Sequence, residues 1–319
     1  MSQFADYSTT WNAPVYGSLD GLLHTPNMRE WPLLSMIGQL GEGRNRQVSN
    51  FIFPTSVGYE RRQAAQPEVT ENQTKTAPDH EGTALTQDTN VTQIFWERFG
   101  VTYEKLSNGM YMQGPTGYDP AVTNEIDLQS QIAFETIRSD IEYTIINGVH
   151  NQATNADEAN KTRGLIASVD ADNIVDASSD PISLEMLKEV VQKGFENGSR
   201  LANMVIAGSP INIQRINDLL GYQPTSYSIG GVNLQQINIP AAMGLFTLLP
   251  HRYIADSKLL FVDMGAVGSV EQPVPGKGSW FIEPLAKTGA TVDFMVYGKW
   301  GLAHGPDYAH LMIDNIDNS

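Results

Sequence analysis

The segment Val48 to Ser107 constrains this chain most, because it can be neither a helix nor a self-sufficient sheet. Val48 to Arg62 is rich in β-formers (Val48, Phe51, Ile52, Phe53, Val57, Tyr59), and so is Val91 to Ser107 (Val91, Ile94, Phe95, Trp96, Phe99, Val101, Tyr103). In the second stretch the apolar residues recur with a period near two, as in a strand. Gln63 to Asn90, between them, is poor in apolar residues and rich in Glu, Gln, Thr, Asp and Pro. An extended arm of about 15 residues reaches about 50 Å. A two-stranded ribbon of that length is marginal alone in water, and a structureless connection longer than about 15 residues is unusual in a compact domain. Two readings follow: a disordered insertion, or a loop that gains order by lying on a second subunit.

Composition narrows the class. The 319 residues suffice for one large domain or two modest ones, and 41% are hydrophobic against 18% charged. So little charge suggests surface that meets other protein. The 36 acids and 20 bases leave a formal net charge of −16, which argues against a basic face for nucleic acid and favours solubility. The absence of cysteine excludes disulfides, thiolate metal sites and cysteine nucleophiles. Met1 to Trp11 lacks the charged and apolar regions of a signal peptide. The longest apolar run, around Ile239 to Pro250, is short and broken, so no bilayer span is expected. A soluble, cytoplasmically made chain is the expectation.

The remaining elements read in order. Met1 to Gly43 is an irregular arm with apolar anchors such as Trp11 and Trp31, and Pro32 to Leu40 forms a short helix within it. A rod helix is expected over about 120–147, capped by Asp119 with Pro120 in the first turn; Val122, Ile126, Ala133, Ile137, Ile141 and Ile145 line one face and Asn147-Gly148 ends it. Gly164 to Ile166 reads as a short strand. Ser183 caps a helix burying Leu187, Val190, Val191 and Phe195. Ala202 to Ala207 is a strand, and Ser209-Pro210 opens a helix holding Ile213, Ile216, Leu219 and Leu220, so this stretch resembles one unit of an α/β layer. Gly221 to Ile229 is a loop. Strands follow over Gln236 to Pro250, Leu259 to Val270, Trp280 to Glu283, Ala290 to Trp300 and Ala309 to Ile313.

No catalytic signature emerges. Asp79-His80-Glu81 alternate across an extended backbone and chelate poorly. His304, Asp307 and His310 would share a helix face, but Gly305-Pro306 argues for a loop. No phosphate loop follows Gly38, Gly41 and Gly43, and no nucleophile elbow is present. The chain therefore reads as a non-enzyme, with no cofactor and no metal. The basic residues Arg44, Arg46, Arg61 and Arg62 flank the first arm and suit ion pairs with an acidic neighbour, each worth about 0–1 kcal/mol when exposed.

The order of arm, ribbon, rod helix, α/β unit and closing strands resembles the Hong Kong 97-type major capsid proteins of tailed bacteriophages. Three stretches carry the likeness: RSDIEYTIINGVHNQATNADEANKTRGLIA, NMVIAGSPINIQRINDLLG, and FIEPLAKTGATVDFMVYGKWGLAHGPDYAHLMI with its LAKTG turn. The resemblance implies an α+β fold with an N-terminal arm (1–47), an extended E-loop (48–107), a P-domain (108–180 and 271–319) carrying the spine helix, and an A-domain (181–270). It implies a virion structural protein assembling into pentamers and hexamers of an icosahedral head, which encloses DNA without sequence-specific contact. Scaffold, portal or decoration proteins are the further partners it implies. Trp11, Arg44, Arg46, Arg61, Arg62, Lys75, Asp79 and Glu81 are the expected inter-subunit contacts. Some relatives crosslink a loop lysine to an asparagine; Lys75 is the one lysine of the loop tip, but no partner residue is identifiable and that activity is not carried over. An encapsulin-like compartment shell and a phage tail or decoration component remain alternatives, and a hydrolase is a distant third.

Overall fold

A computed structural model describes residues 31–38, 45–59, 66, 68–76, 85–104, 112–113, 120–122, 125–201, 204–221, 225–229, 232–239 and 245–317. They fall into two compact units: Trp96–Ile137 with Ile282–Val296 belong to one, and Trp31–Phe95, Arg138–Phe281 and Tyr297–Ser319 to the other.

The core of the larger unit is a seven-stranded mixed sheet. Its strands are β7 (Ile174–Asp176), β8 (Met204–Gly208), β9 (Thr225–Ile229), β10 (Val232–Asn238), β11 (Leu245–Pro250), β12 (Leu259–Asp263) and β16 (Leu311–Asp314), in the order β7-β16-β12-β8-β11-β10-β9. The central strands MVIAG and LLFVD are buried at every residue, which is why they read as continuous apolar runs without alternation. Helix α4 (Leu184–Glu196) lies against β16, so closely that a Cβ on Gly194 would stand 2.6 Å from a Leu311 methyl. Helix α5 (Pro210–Leu220) packs on β8 and β11. Leu187, Val190, Ile206, Ile216, Phe246, Phe261, Leu311 and Ile313 are among the residues that form one core, with Phe246 and Phe261 edge to face at 6.3 Å.

A second sheet runs β1 (Arg46–Gln47), β13 (Gly268–Glu271), β15 (Thr291–Ala303), β14 (Trp280–Pro284), with β4 (Gln93–Thr102) also on β15. Its buried anchor is Trp300, whose indole donates to Ser269 Oγ at 2.6 Å and meets Phe95 edge on. In the smaller unit Phe99 stacks on Phe294 at 5.3 Å and Arg98 pairs with Asp293 at 2.9 Å. The LAKTG turn closes there, with Lys287 over the Tyr103 ring and Leu285 N–H donating to the Asp293 carbonyl.

Several expectations shift. The rod helix is α2 (Glu125–Asn147), and Pro120–Val122 is a short strand, β6, paired with β5 (Met112–Gln113). A proline that pre-sets φ for a first helical turn suits extended backbone equally well. Ala133, Ile137, Ile141 and Ile145 are buried as the four-residue spacing requires. Leu165–Ser168 is a single helical turn, α3, not a strand. A side chain on Gly148 or Gly164 would meet backbone atoms at 2.6 and 2.5 Å, because the end of α2 and the RGL stretch pass glycine to glycine. Thr225–Ile229 is a strand rather than a loop, and Phe195 and Leu219 are exposed.

The second ribbon arm is not the expected segment, Val91 to Ser107, but Leu85–Val91, all but its last residue in the stretch read as the connection. The ribbon itself pairs β2 (Ile52–Tyr59) antiparallel with β3 (Leu85–Val91), from Ile52↔Val91 to Tyr59↔Leu85, with an irregularity after Pro54. The apolar alternation further on, in β4, belongs to the closing sheet: Phe95, Phe99 and Val101 are buried there. Regular alternation marks a strand with one buried face, whereas a ribbon open on both faces carries no such signal.

Candidate assembly surface and its anchors

The ribbon has a wired root and a bare shaft. At the root, the Asn90 amide is fully buried. Its Nδ2 donates to the carbonyls of Leu302 (2.8 Å) and Arg163 (3.2 Å), and its Oδ1 accepts from the Arg163 N–H (2.8 Å) and the Val91 N–H (2.9 Å). Thr92 donates to Gln272 Oε1 at 2.8 Å, and its N–H donates to the Phe51 carbonyl. Phe53 is buried over Gly301, where a Cβ would stand 2.7 Å from the Phe53 ring. Buried amides so fully used fix a strand's position and direction.

Beyond the root the shaft exposes apolar surface. Val57 is 62% exposed and Leu85 72% exposed. Val57 lies opposite Gln87 and Leu85 opposite Tyr59, so Val57 and Leu85 share one face of the ribbon. At the tip, Glu68 to Thr76 is exposed throughout and folds into a short turn around Gln73–Lys75, with Val69 outward. On β4, Ile94 and Trp96 project from one face and are 51% and 64% exposed. Val57 with Leu85, and Ile94 with Trp96, are thus two exposed apolar pairs, each on one face.

A second anchor holds α1 (Pro32–Ile37), the described part of the N-terminal stretch. Its Leu33 and Leu34 N–H groups donate to Glu142 on α2, each at 2.8 Å, one to Oε1 and one to Oε2. His251 Nε2 stands 2.7 Å from Glu142 Oε1, and its Nδ1 accepts from the Tyr253 N–H at 3.2 Å. With Nδ1 accepting, the Nε2 proton goes to the carboxylate, so both imidazole nitrogens and both carboxylate oxygens are engaged. Arg138 lies over the Trp31 ring at 5.4 Å and completes the seat. A single acid among many offers no sequence signal for this role.

Of the expected contact residues, Arg46 and Lys75 are described. Arg46 donates to the Pro54 carbonyl at 2.9 Å, bracing β1 against the ribbon. Lys75 donates to Asn72 Oδ1 within the tip turn. Trp11, Arg44, Arg61, Arg62, Asp79 and Glu81 lie outside the described residues. Of His304, Asp307 and His310, the first two come together and the third turns away: His310 Nε2 donates to the His304 carbonyl at 2.6 Å, and its Nδ1 accepts from the Asp263 N–H at 3.3 Å. Among the described residues no helix is long and apolar enough to cross a membrane.

The comparisons with known proteins agree with this architecture. The capsid asymmetric unit of cyanophage A-1(L) matches with a TM-score of 0.61 at 10% identity, over 95% of this chain and 97% of that one. The capsid of a native GTA particle matches with a TM-score of 0.57 at 14% identity, over 98% of both chains. The holo-SrpI encapsulin complex from Synechococcus elongatus matches with a TM-score of 0.56 at 16% identity, over 86% of both. At such identities the likeness establishes the fold, which is the Hong Kong 97-like capsid fold. No curated protein sequence matches. The family model of the SU10 major capsid protein matches residues 3–317. The chain belongs to the SU10 major capsid protein family and is a structural protein of a multi-subunit capsid shell.

Proposed function

We propose that the chain assembles into pentamers and hexamers of an icosahedral head, and that the ribbon shaft lies on the neighbouring subunit. The observation that carries this reading is the contrast along one ribbon: a root held by buried hydrogen bonds, and a shaft with Val57 and Leu85 bare on one face. A two-stranded ribbon does not stabilise itself, and burying two large aliphatic side chains on a neighbour contributes about 1.5–3 kcal/mol each. Repeated around every capsomer, that decides between free subunits and a shell. Trp11, Arg44, Arg46, Arg61, Arg62, Lys75, Asp79 and Glu81 are further contacts of the same interface. In this reading 1–47 is the arm, 48–107 the E-loop, 108–180 with 271–319 the P-domain, and 181–270 the A-domain. The chain has no catalytic role, is made in the host cytoplasm and ends in the virion. The packaged DNA is enclosed without sequence-specific contact, in keeping with the net charge of −16.

Electron microscopy of the purified protein is the test. Closed shells with five- and six-fold capsomers are expected for the native chain. Val57→Asp with Leu85→Asp leaves folded subunits that do not close; normal shells from that variant overturn the clasp. An encapsulin-like compartment, the second reading, is favoured by the match to the SrpI complex. Shells that purify with a protein cargo and no nucleic acid would establish it.

A further inference from the structure

Among the described residues of the larger unit three histidines are buried, and they differ in one respect. His251 and His310 have both ring nitrogens engaged, as described above. His304 has neither: it is 0% exposed, yet Nδ1 and Nε2 both lack a hydrogen-bond partner, as does the buried Asp307 Oδ1. Leaving buried polar atoms unpaired is costly and uncommon. Carboxylates face both nitrogens. Asp88 Oδ2, on the ribbon strand β3, stands 3.4 Å from Nε2, and Asp307 Oδ1 stands 3.8 Å from Nδ1. One donor atom from each of Asp88, His304 and Asp307 lies within 4.8 Å of the others. Two donors on one small cation, bonded at about 2.0–2.2 Å, stand at most about 4.4 Å apart. The imidazole gives the ion one of its nitrogens, and the three donor atoms lie close to that span.

We propose that Asp88, His304 and Asp307 bind one divalent transition-metal cation, of the Zn2+ or Mn2+ class, at the root of the ribbon. An imidazole with two carboxylates is a donor set for such ions, whereas Mg2+ and Ca2+ favour oxygen alone. The environment prepares the ligands. Burial holds His304 neutral, with its pKa pushed down to about 4, and neutral imidazole is the form that coordinates. Burial, and then the Asp88 carboxylate alongside, raises the Asp307 pKa, while Arg163 acts to lower it. Arg163 is the one cation in contact with this trio among the described residues. Its Nη1 reaches Asp88 Oδ2 at a long 3.5 Å, and no lysine or arginine pairs directly with Asp307 among the described residues. Gly305, at φ +75, makes the turn that delivers His304 and Asp307 to the same place; a Cβ there would meet the Ala266 carbonyl oxygen at 2.9 Å. The ion joins the outgoing ribbon strand to the loop after β15, across 216 positions of sequence between Asp88 and His304. It thereby stiffens the root from which the shaft reaches, and the site stands whether or not the clasp reading holds.

The test uses the full chain, purified without a metal-binding tag and stripped with a chelator, then dialysed against ZnCl2 or MnCl2. One Zn2+ or Mn2+ per chain is expected by elemental analysis. Asp307→Asn, at a partly exposed position that the fold tolerates, is expected to lose affinity by at least about 10–100-fold, the loss that even an outer-shell change causes. Glu158→Gln, an exposed acid elsewhere, keeps it. Should Asp307→Asn misfold, the native chain still decides: pulsed electron paramagnetic resonance of bound Mn2+ shows coupling to a histidine nitrogen. No stoichiometric metal, metal held equally by Asp307→Asn, bound Mn2+ without nitrogen coupling, or binding of Ca2+ in place of both ions would each overturn the site.

Discussion

The root and the shaft of the ribbon are built from the same two strands, yet they are held in different ways. At the root, Phe53, Asn90 and Thr92 spend every polar and apolar contact on their own chain. Along the shaft, Val57 and Leu85 are paired only across the ribbon, and their side chains stand mostly in solvent. The comparison teaches that an extension can be aimed by its own subunit and stabilised by the next one. Direction is a property of the folded chain; in the proposed assembly the next subunit would supply the affinity.

Three variants test that division, and their effects on the isolated subunit should fall in order. Phe53→Ala empties a packed site over Gly301 and is expected to cost about 3–5 kcal/mol of unfolding free energy, read by denaturant titration. An equal fall in shell yield with no loss of subunit stability would place Phe53 with the shaft instead. Asn90→Ala strands the Leu302 carbonyl and the Arg163 N–H in a dry place and should cost about 2–3 kcal/mol. Hydrogen exchange is the sharper measurement there, because Arg163 N–H protection should drop while the seven-stranded core stays protected. Val57→Asp with Leu85→Asp should change subunit stability by less than about 0.5 kcal/mol, since both side chains stand in solvent. Its effect appears only when subunits are asked to close.

Much of the fold was legible because it rests on local rules. The Ser183 cap accepts from the Met186 N–H, Pro210 opens its helix, and isoleucines four apart on α2 are buried. The runs MVIAG and LLFVD announced strands covered on both sides. Where the reading went astray, two signals competed for one segment. Pro120 suits a helix start and an extended strand alike, and the stretch TQDTNV hides a ribbon strand because it holds a single apolar residue, Val91, and its outer end is exposed. The candidate sites were barely legible. Glu142 is one acid among 36 acidic residues until His251 and two helix N–H groups converge on it. His304 and Asp307 are visible as neighbours in the sequence, but the carboxylate that the fold brings beside them, Asp88, lies 216 positions from His304.

The sequence alone determined that this chain carries a long β-prone extension unable to hold itself, a rod helix, and an α/β core without a catalytic signature. Period, caps and composition act over a few residues, so they survive in one dimension. The tertiary structure alone decided which strand the first arm pairs with, which carboxylate seats α1, and which histidine is left unpartnered. Those are contacts between residues about a hundred or more positions apart in most cases, and burial, which gives them their energy, exists only once the chain has closed around them.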